Sequence, residues 1–128
     1  MSNDLPVPTN SELEILNVLW RRGPCTVREV FDEIGAKRDV GYTTALKLLQ
    51  LMAEKGLVKR DESARSHIYE AAVPEKKVKR HIVSEVMDRV FEGSAASLVM
   101  QALSSKKASP EEIEQIRALL DKQSRGER

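Results

Sequence analysis

Four polar side chains share one face of a predicted helix, and their chemistry suits contact with nucleic acid. On a helical period Thr43, Thr44, Lys47 and Gln50 fall on the same side of a segment that ends at Gly56. Hydroxyl, amide and ammonium groups hydrogen-bond to base edges and phosphates without filling a groove. The pattern by itself is just as typical of an ordinary solvated helix face. The segment after Gly56 favours the DNA interpretation.

A short basic hairpin is predicted directly after this helix. Residues with β-favouring side chains flank a small polar tip at residues 63–66, and they are Leu57, Val58, Ile68, Tyr69 and Val73. Arg65, Ser66 and His67 would reach the phosphates beside the groove that the helix enters. The alternative is an ordinary charged turn. Asp61 and Glu62 support that alternative, because carboxylates repel phosphate.

Two further helices are predicted before the polar face. Thr9 with Glu12, and Thr26 with Glu29, form capping boxes that start them. The apolar stripes of the three helices are Leu13, Leu16, Leu19 and Trp20, then Val27, Val30, Phe31 and Ile34, then Ala45, Leu48, Leu49 and Met52. Three helices followed by a hairpin predict a winged helix-turn-helix domain at residues 9–73, after a flexible arm at residues 1–8.

Residues 74–128 are predicted to form a helical region that pairs with a second copy of the chain. Its apolar stripes are Val78, Ile82, Val86, Val90, Leu98, Val99, Leu103, Ile113, Ile116 and Leu120. Short helices cannot bury all of these on one another, and exposed stripes favour aggregation. Shared across a two-fold axis, each leucine-sized side chain would contribute about 1.5–3 kcal/mol. We therefore expect a homodimer. The fold class is mainly α with a small β-hairpin.

Composition narrows the class of protein. The chain has 128 residues and a net charge of +1, which indicates local contact with DNA rather than a basic coat. No signal peptide or membrane-spanning segment is evident, so we expect a cytoplasmic protein. One cysteine, two histidines and no catalytic motif predict no enzyme, metal site or cofactor. Cys25 has two interpretations, a structural residue or a thiol with a lowered pKa beside a helix start.

A series of motifs resembles the penicillinase repressor family, also called the BlaI/MecI family, over nearly the whole chain. They are residues 12–16, Leu19-Trp20, residues 26–30, Tyr42-Thr43-Thr44, residues 54–58, residues 65–69 and Ser97-Leu98-Val99. The resemblance implies a dimeric winged-helix repressor of double-stranded operator DNA, with inverted repeats that are typically TACA/TGTA-like. It places Thr44 at the operator-contacting threonine and Arg65 at the wing tip. The DNA contacts we expect are Arg38, Tyr42, Thr43, Thr44, Lys47, Arg65, Ser66 and His67.

The resemblance also implies a mechanism of release from DNA. Family repressors respond to a membrane metalloprotease receptor that senses β-lactams and triggers cleavage in the dimerisation region, commonly at an Asn-Phe bond. Here Gln101 and Ala102 occupy that place, and the surrounding stripe predicts that their bond lies in a buried helix. We expect either a protease of different specificity or release without a cut. Copper-responsive relatives carry paired cysteines that this chain lacks. The alternative for the whole protein is a winged-helix protein-interaction module without specific DNA binding.

Overall fold

The computed structural model describes residues 7–126, so most of the predicted arm at residues 1–8 lies outside the described residues. Six helices and a small sheet confirm the mainly helical fold class. The elements are α1 Asn10–Arg22, β1 Cys25–Thr26, α2 Val27–Gly35, α3 Tyr42–Lys55, β2 Val58–Asp61, β3 Ile68–Ala71, α4 Glu75–Val90, α5 Ala95–Ser105 and α6 Pro110–Ser124. The chain divides into two compact units, the first ending at Ile82 and the second beginning at Val83.

The predicted helix starts are confirmed in atomic detail. The Thr9 hydroxyl accepts from the Glu12 backbone N–H at 3.2 Å, and the Glu12 carboxylate accepts from the Thr9 N–H at 2.9 Å. Thr26 and Glu29 form the same reciprocal pair at the start of α2, at the same two distances. Each box satisfies two backbone donors that the first turn of a helix leaves open. Gly56 ends α3 in the left-handed region, with φ of 83°.

The core of the first unit lies between the three helices and the inner face of the sheet. Its fully buried side chains include Ile15, Leu16, Val30, Ala45, Leu49, Met52, Leu57 and Tyr69. Leu13, Phe31 and Leu48, predicted as stripe residues, pack at the margin of this core and stay half-buried. The indole Nε1 of Trp20 donates to the Val73 carbonyl at 3.0 Å. This bond ties α1 to the chain that leaves β3.

The sheet has one strand more than the sequence predicted. It is antiparallel with the order β1-β3-β2, so a third strand pairs beside the predicted two-stranded hairpin. Cys25 lies opposite Tyr69, and Thr26 lies opposite Ile68. Two residues are too few to show the alternation by which a strand is recognised in sequence. This pairing fastens the start of α2 to the strand that carries the wing tip.

An ion pair between a buried carboxylate and an exposed lysine joins the first helix to the third. Glu12 is only 4% exposed, and Lys55 Nζ lies 2.8 and 2.9 Å from its two carboxylate oxygens. Burial alone would raise the pKa of Glu12. The hydrogen bonds from Lys55 and from the Thr9 backbone outweigh burial, and hold the pKa below its usual value. The capping box of α1 and the end of α3 therefore share one carboxylate.

The beginning of α4 belongs to the core of the first unit. Val78 is 2% exposed and buried among core residues, and Ile82 packs against the same core. The assignment of Val78 to a dimer interface is therefore wrong, because the chain's own core already covers its side chain. Ile82 is partly covered in the same way. The first unit extends beyond the predicted boundary at Pro74 for this reason.

The second unit leaves most of its apolar side chains exposed. No residue of α5 or α6 is buried, and the large apolar residues of the unit that are exposed are Val83, Val86, Val90, Val99, Met100, Leu103, Leu119 and Leu120. Leu98, Ile113 and Ile116 are half-buried. Gln101 and Ala102 are exposed on α5, so the expectation that their bond is buried is wrong for the single chain. The sequence pattern predicted an apolar face on these helices, but it does not identify the surface that covers that face.

Candidate nucleic-acid interface

The predicted polar face of α3 is exposed, and its opposite side is buried. Thr43, Thr44 and Lys47 are open to solvent, while Ala45 and Leu49 lie in the core. The two threonines sit in the first turn, where unpaired backbone N–H groups and the helix dipole give partial positive charge. The residue that precedes the helix offers no side-chain cap, and the first turn holds no acid. The start of α3 is thus electrostatically suited to face an anionic polymer.

The acidic residues of the wing are engaged in local bonds. Arg60 Nε lies 2.7 Å from Glu62 Oε2, and the Ser63 backbone N–H donates to Asp61 Oδ1 at 2.9 Å. The hydrogen bond from Ser63 lowers the pKa of Asp61. Glu62 has its charge compensated and Asp61 shapes the turn. These two carboxylates should therefore repel DNA phosphates less strongly than the sequence suggested, and they argue less against a phosphate contact by the wing tip.

The wing tip and the start of α3 line one groove of about 310 Å³. Four predicted residues meet there, namely Tyr42, Arg65, Ser66 and His67. Thr26, Val27, Arg28, Leu46 and Tyr69 complete the lining, which contains no aspartate or glutamate. Within residues 7–126, no carboxylate forms an ion pair with Arg28, Lys47 or Arg65. The structure thus brings Arg28 and Arg65 to one groove, where no carboxylate of the described residues pairs with either.

Arg28 is a groove residue that the sequence did not predict. Its guanidinium carbon lies 5.9 Å from the centroid of the Phe31 ring and 5.7 Å from that of Tyr42. The two rings meet edge to face, with centroids 5.7 Å apart. In the sequence, Arg28 stands inside a capping box and looks like an ordinary surface position. The signal that could have located it is the β1–β3 pairing, which was not predicted.

Arg38 does not join the groove. Its Nε lies 2.8 and 3.0 Å from the two carboxylate oxygens of Glu14, and its Nη2 lies 3.5 Å from Ser11 Oγ. The hydrogen bonds from Arg38 also hold the pKa of Glu14 below its usual value. The Glu14 carboxylate of α1 compensates this exposed guanidinium, and a contact between Arg38 and DNA stays a prediction. A loop cation and a helix carboxylate 24 residues apart cannot be paired from local patterns.

Cys25 is a structural residue. Burial raises the pKa of its thiol, and its Sγ donates to the Gly23 carbonyl at 3.3 Å. The interpretation of a lowered pKa is therefore wrong, since Cys25 lies in β1 facing the core. In the part of the chain that the structure describes, no group of three or more histidine, cysteine or acidic side chains is placed to hold a metal ion. No helix between residues 7 and 126 has the length and apolar character needed to cross a membrane.

Fold and surface together define a winged-helix DNA-binding domain followed by a helical unit with an apolar face. The sequence model of the penicillinase repressor family matches residues 8–122. The chain belongs to the penicillinase repressor family, as its motifs indicated.

Individual relatives agree with this assignment. The methicillin resistance regulatory protein MecI of Mammaliicoccus sciuri is 25% identical over 122 residues, which are 95% of this chain and 99% of MecI. The transcriptional regulator BlaI of Mycobacterium tuberculosis is 41% identical over 59 residues, 45% of this chain and 43% of BlaI. The solution structure of the Bacillus licheniformis BlaI monomeric form with the blaP half-operator matches the fold with a TM-score of 0.51 at 22% identity, covering 57% of this chain and 89% of the chain in that structure.

Proposed function

We propose that this protein is a transcriptional repressor that binds inverted-repeat operators as a homodimer. One observation carries the proposal. Tyr42 and Leu46 of α3 line one groove with the wing tip, and Arg28 and Arg65 in that groove form no ion pair within residues 7–126. Thr43, Thr44 and Lys47 lie outside its lining, exposed on α3. Membership of the penicillinase repressor family supports the same conclusion. A surface of this kind attracts the phosphate backbone and leaves hydrogen-bonding side chains free for bases.

In the proposed complex, the first turns of α3 lie in the major groove. Thr44 and Thr43 contact base edges through their hydroxyls, and Lys47, one turn further on, contacts a base or a phosphate. Arg65, with Ser66 and His67, contacts the sugar–phosphate backbone beside that groove. The helix face therefore supplies sequence preference, while the wing supplies affinity that does not depend on sequence.

The second unit is proposed to hold two copies together. A broad apolar face left uncovered on α4, α5 and α6 needs a partner, and a second copy of the same chain offers the matching face across a two-fold axis. The two copies of α3, related by that axis, would contact two half-sites in opposite orientations. An inverted repeat is the DNA sequence with that symmetry.

The signal that releases the repressor is proposed to act on this second unit. Separating the two copies would turn one bivalent attachment into two weak ones, so the apolar face is the natural control point. A membrane metalloprotease receptor system is the partner that the family resemblance suggests. Because the proposed target is operator DNA, we place the protein in the cytoplasm.

Salt dependence tests the proposal against the alternative of a protein-interaction module. The wild-type chain is titrated onto the DNA upstream of its own gene and onto a scrambled duplex, between about 50 and 200 mM salt. A repressor retains the upstream DNA in preference to the scrambled duplex, and its affinity falls steeply with salt. An interaction module would retain neither duplex, and that result would overturn the proposed function.

A further inference from the structure

Arg28 is held in place by aromatic rings rather than by a carboxylate. Of the neighbouring acids, Glu29 accepts from the Thr26 N–H and Glu33 pairs with Arg21 at 2.7 Å. Asp32, one turn further along α2, forms no ion pair with Arg28. Stacking on Phe31 and Tyr42 orients the guanidinium at the groove but leaves its charge uncompensated. A cation in this position has hydrogen-bonding capacity that no group within residues 7–126 uses.

The opposite side of the groove carries a second uncompensated arginine. The Thr26–Ile68 pairing brings the start of α2 beside the base of the wing, so Arg28 and the Arg65–His67 tip line the same groove. The groove offers two guanidinium groups, an imidazole and a serine hydroxyl, and no acid. Paired guanidinium groups with a hydroxyl match the tetrahedral oxygens of a phosphodiester.

We propose that Arg28 binds a backbone phosphate of the operator. The start of α2 and the wing would then contact one DNA strand from the two sides of the protein groove. Tyr42 acts through Arg28 as its positioning residue, rather than as the direct DNA contact expected from the sequence, because its ring fixes the guanidinium before DNA arrives. Arginine side chains lose rotamer entropy on binding, and a side chain already ordered by stacking loses less. This inference rests on the proposed function. It adds a phosphate contact from α2, whereas the proposed base contacts come from α3.

Salt-dependent operator binding by variants tests the contact. Arg28→Ala should weaken binding to operator and scrambled DNA alike, by roughly tenfold at low salt, because a charge-assisted hydrogen bond is lost. It should also reduce the slope of log affinity against log salt by about one. Arg21→Ala is the matched control, since it removes the same charge from an arginine of the same unit that pairs with Glu33 outside the groove. Its slope should equal that of wild type.

The positioning role of Tyr42 has its own readout. Tyr42→Phe keeps the ring under Arg28 and should retain most of the affinity, whereas Tyr42→Leu removes the ring and should lose affinity. In the Arg28→Ala background, Tyr42→Leu should cost little more, because the residue it positions is already gone. Fully additive losses would overturn the positioning role.

The outcomes separate this inference from the proposed function. A wild-type chain that prefers its operator, with an Arg28→Ala variant whose slope matches that of Arg21→Ala, would overturn the phosphate contact alone. A wild-type chain without any operator preference would overturn the proposed function. Thermal melting of each variant confirms folding, and Arg28→Gln, which keeps the aliphatic stem, replaces Arg28→Ala if the alanine variant melts early.

Discussion

Thr26 and Ile68 lie opposite each other across β1 and β3, and this pairing places the start of α2 beside the base of the wing. Thr26 caps α2 two residues before Arg28, and Ile68 follows His67 at the base of the wing. The hairpin is therefore anchored through β3 as well as through β2. The two-residue strand β1 thus attaches the wing to the start of α2.

The wing contact predicts a change in salt dependence. Arg65→Ala should weaken binding to all DNA sequences alike and lower the salt slope by about one, because one phosphate contact is lost. Lys59→Ala is the matched control on the same hairpin. Lys59 lies opposite Glu70 and lines a different hollow, away from the groove. Titrations of both variants at several salt concentrations decide the matter, and an unchanged slope for Arg65→Ala would reduce the tip to a solvated turn.

The apolar face of the second unit predicts a dimer that one charge can break. Leu120 is 57% exposed in the single chain, so Leu120→Asp should leave the monomer folded. Burying a carboxylate at an apolar interface costs several kcal/mol, which should shift the variant to monomer. Ala118→Asp adds the same charge on the opposite side of α6 and should remain dimeric. Sedimentation equilibrium measures both, and a monomeric wild-type chain at micromolar concentration would contradict the dimer.

The Glu12–Lys55 pair predicts a loss of stability in acid. The pKa of Glu12 is lower in the folded than in the unfolded chain, so its stabilisation is complete above the usual value of 4.5 and lost as the pH falls through the folded pKa. Lys55→Met removes the partner of a buried carboxylate and should lower the free energy of unfolding by about 1–3 kcal/mol at neutral pH. The variant should also lose less stability on acidification.

Urea unfolding at several pH values checks this prediction. Arg21→Met is the control, because it breaks an exposed pair with Glu33 and should change stability by no more than about 0.5–1 kcal/mol. Parallel pH profiles for wild type and Lys55→Met would show that Glu12 does not carry the acid dependence.

The position of Gln101 and Ala102 within α5 predicts that the bond between them stays intact during induction. Gln101 and Ala102 lie within α5, where the Gln101 carbonyl accepts from Ser105 Oγ at 2.8 Å, so a protease needs local unfolding to reach the bond. Mass spectrometry of the repressor after induction should find no fragment that ends at Gln101. A variant with Gln101→Asn and Ala102→Phe restores the family's usual pair. Cleavage of that variant alone would identify the side chains as the barrier, whereas cleavage of wild type would contradict the prediction.

Patterns among neighbouring residues predicted where the helices begin and end. Contacts between residues far apart in the sequence determine which side chains meet, and these were not predicted. Capping at Thr9 and Thr26 and the left-handed Gly56 follow from neighbouring residues, so the helix ends were predictable. The exposed face around Thr44 follows from helical period in the same way. By contrast, Glu12 and Lys55 are 43 residues apart, and no local pattern pairs them.

The same distinction explains what the sequence missed at the site. Arg28 and Arg38 are both exposed basic residues. From the sequence we expected Arg38, and not Arg28, to contact DNA. The fold stacks Arg28 on two rings at the groove and gives Arg38 to Glu14. Likewise Val78 has the spacing of the dimer stripe but lies in the core of the first unit. Which partner a side chain meets depends on packing between elements.

Selection of bound duplexes from a random DNA library, with wild type and Thr44→Ala in parallel, tests the central claim most directly. Wild type should enrich an inverted repeat whose half-site centres lie a whole number of helical turns apart, each about 34–36 Å. Thr44→Ala should stay folded yet bind that repeat more weakly by about 1–3 kcal/mol, while keeping its affinity for unrelated DNA. A wild-type chain that enriches no sequence, or a folded Thr44→Ala variant with undiminished preference for the repeat, would contradict recognition of the operator by α3.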